Sequence, residues 1–188
     1  IIEEECERLI NSVNTILDIS RMDAGMTDYN MEKYNLFHLI ERSVSNIRPI
    51  AESKGINLEV NIGGRLPPVN IDGERIGQAL GNLLDNAVKF TTQGGKVTVA
   101  ATLKDTDVPD HFLNNKKEFV EVSVSDTGCG IPKENIKEIF DKFKMLHGKG
   151  TGLGLYIARH IINAHGGDIW VKSEQGRGST FSFTAPVF

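Results

Sequence analysis

Asn82, Asn86 and Lys89 fall at i, i+4 and i+7 of a strongly periodic segment, so on a helix all three stand on one stripe. An amide oxygen is a hard, neutral donor suited to Mg2+. A carboxylate in its place would repel the phosphates that supply the ion's remaining ligands. Lys89 can neutralise phosphate as a mobile point charge. A second stretch, Ser125-Asp126-Thr127-Gly128-Cys129-Gly130-Ile131-Pro132, follows directly on an apolar strand pattern. Its glycines permit a tight turn and close approach of a flat ligand. Asp126, at the strand's end, can accept a hydrogen bond from an amine such as adenine's. A third stretch, Gly148-Lys149-Gly150-Thr151-Gly152-Leu153-Gly154-Leu155, runs into a helix whose first N–H groups can bind phosphate. Its glycines also suit a mobile lid. It is neither a Walker loop, because Gly150 follows Lys149, nor a dinucleotide fingerprint, because no clear strand precedes it. Read singly, each stretch is also compatible with a plain structural role: a polar helix flank, an Asp-Gly turn, a glycine linker.

The elements that must position these groups alternate along the chain. Residues 1–24 form one helix in which Ile2, Cys6, Leu9, Val13, Ile16 and Ser20 recur at steps of four and three, widened by Ile10 and Leu17. Such a seam packs either on its own domain or on a partner helix. The spacing predicts a strand near Met31–Leu36, a helix from Phe37 to Lys54 and a strand Ile56–Ile62. Asp72 caps a helix through Phe90. Gly94-Gly95 turns into a strand, Lys96–Leu103, followed by a polar loop, Lys104–Lys117, and a strand, Phe119–Ser125. A short helix (Lys133–Ile139) and a helix Leu153–Ala164 come next. A final hairpin joins Ile169–Lys172 to Thr180–Ala185, with Phe181 and Phe183 alternating against Thr180, Ser182 and Thr184. Strands grouped with helices give an α+β fold, a two-layer sandwich preceded by a single long helix.

The chain has 188 residues, 39% hydrophobic and 24% charged, which suits one full globular domain plus an appendage. A net charge of −4 argues against nucleic acid as a partner. No run approaches the ~18 apolar residues of a membrane span, and no signal segment opens the chain. Cys6 and Cys129 lack metal-ligand spacing and disulfide density, so the expected setting is a reducing cytoplasm. The chain opens inside a helical pattern without a cap, the expectation being a piece of something longer.

In their order and spacing, Asn82-Leu83-Leu84-Asp85-Asn86-Ala87-Val88-Lys89-Phe90, Asp126-x-Gly128-x-Gly130, Phe140-x-x-Phe143 and Gly150-x-Gly152-Leu153-Gly154-Leu155 resemble the asparagine, glycine and phenylalanine boxes of sensor histidine kinases. His165-Gly166-Gly167 and Gly176-x-Gly178-Ser179-Thr180-Phe181 extend the likeness. The resemblance implies a Bergerat-type catalytic ATP-binding domain over residues 27–188, a mixed sheet covered by helices. Residues 1–26 are similar to the second helix of the dimerisation and phosphotransfer domain. It further implies nucleotide contacts from Asn82, Asn86, Lys89, Phe90, Asp126, Gly128, Gly130, Ile131, Gly150, Thr151, Gly152, Leu153, Gly154, Leu155 and Thr180. Asn86 would hold Mg2+, Asn86 and Lys89 would be catalytic, Asp126 would hold adenine and Thr180 would lie near the base. The implied reaction moves the γ-phosphoryl of ATP to a histidine. The implied partners are ATP or ADP, a response regulator's receiver domain and, in a full-length protein with or without a membrane anchor, a second copy bound through the helical bundle.

Two features depart from that pattern. His38, His111, His147, His160 and His165 are followed by Leu, Phe, Gly, Ile and Gly, not by the acid expected after a phosphoacceptor, so the acceptor is expected outside this chain. Only Lys144–Lys149 separate Phe143 from Gly150, which points to a short lid or, the favoured expectation, to residues missing between Leu146 and His147. Clamp-type ATPases of the same superfamily place a glutamate one turn before the metal asparagine. Here that position is Asn82, which cannot act as a general base. The remaining alternative is a nucleotide-binding regulatory module without transfer activity.

Overall fold

A computed structural model describes residues 2–105, 118–145 and 151–188. Helix α1 spans Ile2–Asp23 and ends in a turn at Gly25. Strand β1 (Glu32–Tyr34) leads into α2 (Leu36–Ser53), whose N-cap Asn35 accepts a hydrogen bond from the Phe37 N–H. After β2 (Asn57–Ile62) and β3 (Val69–Ile71) comes α3 (Gly73–Phe90). As expected, Asp72 caps it: one carboxylate oxygen accepts from the Glu74 and Arg75 N–H groups, and the other accepts from Asn30 N–H. The stripe Ile76, Ala79, Leu80, Leu83, Leu84, Ala87 and Val88 is wholly buried, as its period requires.

Strands β4 (Lys96–Asp105) and β5 (Glu118–Asp126) precede α4 (Gly154–Ala164), β6 (Ile169–Glu174) and β7 (Gly178–Pro186). The main sheet has the order β2-β4-β5-β7-β6, with β2 parallel to β4 and the other neighbours antiparallel. Val120, Val122 and Val124 of β5, with Phe181, Phe183 and Ala185 of β7, are buried. They form a core with the inner faces of α2, α3 and α4. This is the mixed-sheet, two-layer sandwich with a leading helix that the pattern implied.

Two local expectations change. The strand expected near Met31–Leu36 is β1, and it pairs antiparallel with β3, a strand not expected there, in a separate two-stranded sheet. The Pro67-Pro68 break hid β3, which is only three residues long. The helix expected over Lys133–Ile139 is a single 3-10 turn, Lys133–Asn135, continued by irregular turns. Pro132 supplies no side-chain cap, and the following N–H groups reach only three residues back, as Glu138 to Asn135 and Asp141 to Glu138. The polar loop expected over Lys104–Lys117 falls largely outside the described residues.

Candidate nucleotide-binding site

Helix α3 supplies one wall of a cavity of about 230 Å³. Asn82, Asn86, Lys89 and Phe90 all line it, because the stripe they share is the one turned from the sheet toward α4. The Asn82 amide donates to the Gly154 carbonyl at 3.1 Å, tying this wall to the first turn of α4. The ammonium of Lys89 lies 5.1 Å from the centre of the Phe90 ring.

The opposite wall is the turn after β5. Asp126 lines the cavity, and its carboxylate accepts from Gly128 N–H at 2.8 Å. Burial pushes the Asp126 carboxyl above its ordinary value, and the N–H groups of Gly128 and Ser179 partly offset this. Two N–H groups do not use up a carboxylate's acceptor positions, so this group could still accept from an amine in the cavity. The turn is stitched to the β6–β7 hairpin: Ile131 N–H donates to the Ser173 hydroxyl at 2.8 Å and Gly176 N–H to the Cys129 carbonyl at 2.7 Å.

That stitching explains the glycines differently from the sequence. Gly130 has φ +65, and a Cβ there would stand 2.0 Å from the Glu174 carbonyl oxygen. Gly128 does not line the cavity; a Cβ on it would meet the Phe90 carbonyl at 2.5 Å. The chain's own backbone forbids a side chain at both positions, before any ligand arrives.

Thr151, Gly152, Gly154 and Leu155 close the third side, while Ile131 sits in the floor. Leu153 is buried in the core instead of facing the cavity. Gly150 and the expected join at Leu146–His147 fall outside the described residues. Phe143 is exposed and takes a left-handed backbone, φ 61, which is rare for a bulky residue. Gly152 packs on it so closely that a Cβ would lie 2.6 Å from the Phe143 carbonyl carbon. The two described ends of the lid therefore touch.

The expectation for Thr180 is corrected. Its hydroxyl is 2.9 Å from that of Ser125, and the residue does not line the cavity; Ser179 and Phe181 do. Side chains alternate faces along β7, so the same two-residue period that separates Thr180 from Phe181 puts it on the far face. The cavity also holds Asp85, Cys129, Ile139, Lys144 and Met145, none of them expected there. Asp85 was legible as a neighbour on the asparagine helix. The residue as a whole is exposed, yet the partial desolvation of its carboxyl on the cavity side raises it above the ordinary value, opposed by Lys89 four residues on.

Among the described residues no group of three or more His, Cys, Asp or Glu could cage a metal. The donors present are neutral amides and an ammonium, which fits a phosphate-bound ion: Mg2+ takes few protein ligands and draws the rest from phosphate and water. Asn86 is the amide that could hold it.

The cavity belongs to a region, residues 71–188, that matches the family described as histidine kinase-, DNA gyrase B-, and HSP90-like ATPase. Over 98% of its length the chain is 33% identical to the sensor histidine kinase WalK of Bacillus subtilis, of which it covers 29%. It is 36% identical over 98% of its length to the adaptive-response sensory kinase SasA of Synechococcus elongatus, of which it covers 45%. It thus spans less than half the length of these curated relatives. Among solved structures, full-length ShkA in complex with AMPPNP superposes with a TM-score of 0.82 at 31% identity, over 97% of this chain and 36% of that one. With two asparagines and a lysine on one wall, an aspartate on the other and a glycine-lined helix start between them, the chain belongs to the histidine kinase-, DNA gyrase B- and HSP90-like ATPase family, as the ATP-binding catalytic domain of a sensor histidine kinase.

Proposed function

We propose that this domain donates the γ-phosphoryl of Mg-ATP to a histidine outside the chain. Asn86 is assigned to the ion, Asn82 and Lys89 to the phosphates, and Asp126 to the adenine amine. Held by Asn86, Mg2+ would supply neutralisation of phosphate charge. The protein's own share is positioning: the α3 wall fixes the phosphates and the Asp126 turn fixes the base.

The observation that carries the transfer reading is Asn82. It stands one turn before Asn86, where a hydrolase needs a carboxylate to activate water, and its amide is already engaged with Gly154. The expected outcome of a steady-state ATPase assay is slow hydrolysis, little affected by Asn82→Ala at saturating ATP. Robust hydrolysis abolished by that substitution would overturn the kinase reading in favour of a clamp ATPase.

On this reading residues 1–26 are the second helix of the dimerisation and phosphotransfer domain and 27–188 the catalytic domain. In support, Ile10, Val13, Ile16 and Leu17 of α1 are each at least half exposed, an apolar seam suited to a helical bundle with a second copy. A receiver domain is the onward phosphoryl acceptor, and the setting is cytoplasmic. Among the described residues no helix is long and apolar enough to cross a membrane.

A further inference from the structure

The α3 wall carries a carboxylate where polyphosphate chemistry disfavours one. Asp85 lines the cavity beside Asn82, Asn86 and Lys89. Successive helix residues are ~100° apart, so Asp85 lies on the opposite flank of the Asn82 stripe from Asn86, turned away from the sheet. No hydrogen bond or ion pair among the described residues holds it; its electrostatic neighbour is Lys89, a turn further on. Asp85 is exposed on its outer side while it lines the cavity, so a bare nucleotide diphosphate or triphosphate entering there meets a negative charge that water screens only in part, and the two repel. A divalent ion reverses the sign. Mg2+ dehydrates reluctantly and keeps several waters, and a carboxylate just beyond the inner ligands can accept hydrogen bonds from that water shell.

We propose that Asp85 makes nucleotide binding conditional on a divalent cation: it repels the metal-free nucleotide and holds the water shell of the ion that Asn86 ligates. The proposal rests on reading this cavity as a Mg-nucleotide site. It assigns the two neighbouring side chains different duties. Asn86 is an inner, neutral ligand, and Asp85 is an outer, charged positioning residue that favours the metal complex over the free nucleotide.

The test is the Kd for ADP, measured by calorimetry with Mg2+ and with EDTA, for the unaltered chain, Asp85→Asn and Asp85→Glu. The expected result is that Asp85→Asn shrinks the ratio of the two Kd values about tenfold, largely through tighter binding in EDTA. Asp85→Glu keeps the charge and should retain most of the ratio. An unchanged ratio in Asp85→Asn, or an equal loss of affinity in both conditions, overturns the proposal while leaving the nucleotide site standing. Failure of the unaltered chain to bind ADP in either condition would overturn the site reading and this proposal together.

Discussion

At the scale of single residues, the site separates groups that meet a ligand from groups that let the walls meet each other. Asn86 belongs to the first kind. Asn86→Ala is expected to weaken Mg-dependent ADP binding by about tenfold or more while barely changing adenosine binding, the loss of one charge-assisted contact being worth ~1.5–3 kcal/mol. Equal losses for both ligands would mean that the helix had been disturbed. Gly130 belongs to the second kind. Because its Cβ would strike the Glu174 carbonyl from a left-handed backbone, Gly130→Ala should cost about 2–3 kcal/mol of stability in denaturant unfolding without any nucleotide present. Unaltered stability with lost ADP binding would instead assign that glycine to the ligand. In sequence both residues resemble nucleotide contacts. The types a site needs are legible there, but not which backbone carbonyl stands opposite a glycine 44 residues away in the chain.

At the scale of elements, what was legible is what periodicity and caps encode. The extent of α3 follows from Asp72 and seven apolar residues at steps of three and four, and the face it turns to the cavity follows from the same arithmetic. Where local signals are short they mislead. Val69–Ile71 is a strand through its pairing with β1 and a bridge from Val69 to Val187, and Lys133–Ile139 contains helix-compatible residues but no cap. The placement of Thr180 was lost for a different reason, since the family motif outweighed the strand's own alternation. Packing of α1 on its own domain was one of two outcomes its seam allowed, but the residues that make the contact were not legible. Ile19 and Met22 are buried, Asp18 lies 3.7 Å from Arg75, and Asp23 pairs with Lys142, just before Phe143, and with Tyr156 in the first turn of α4. One carboxylate thus joins the last turn of α1 to both sides of the lid. Asp23→Ala is expected to speed amide hydrogen exchange in residues 15–24 and in 142–145 together. Faster exchange in α1 alone would show that the lid is held independently.

At the scale of the whole molecule, His165 ties the linker, α3 and α4 into one unit. It is 3% exposed, donates from Nδ1 to the Ile161 carbonyl at 2.7 Å and accepts at Nε2 from the Asp72 N–H at 3.0 Å, with Tyr29 packed edge-on at 5.1 Å. Burial lowers its pKa, against the opposing pull of the Ile161 carbonyl and Asp72. A depressed folded pKa means that its contribution is present above the unfolded value, ~6.5, and is lost as pH falls through the folded one. Unfolding free energy should therefore decline on acidification below that value, because the exposed ring of the unfolded chain takes up a proton that the buried ring, its Nε2 committed to the Asp72 N–H, resists. His165→Phe should be less stable at neutral pH but flat across the same range. The same double commitment removes His165 as a phosphoryl acceptor, and none of the other histidines is followed by an acid. On the proposed function, donor and acceptor are therefore separate. The most direct measurement mixes this chain with γ-labelled Mg-ATP, alone and with a separately supplied domain bearing the acceptor histidine. Acid-labile label on the added domain, none on this chain, and loss of transfer in Asn86→Ala are predicted. Acid-labile label on this chain alone, or tight Mg-ATP binding with no transfer to the acceptor, would contradict it.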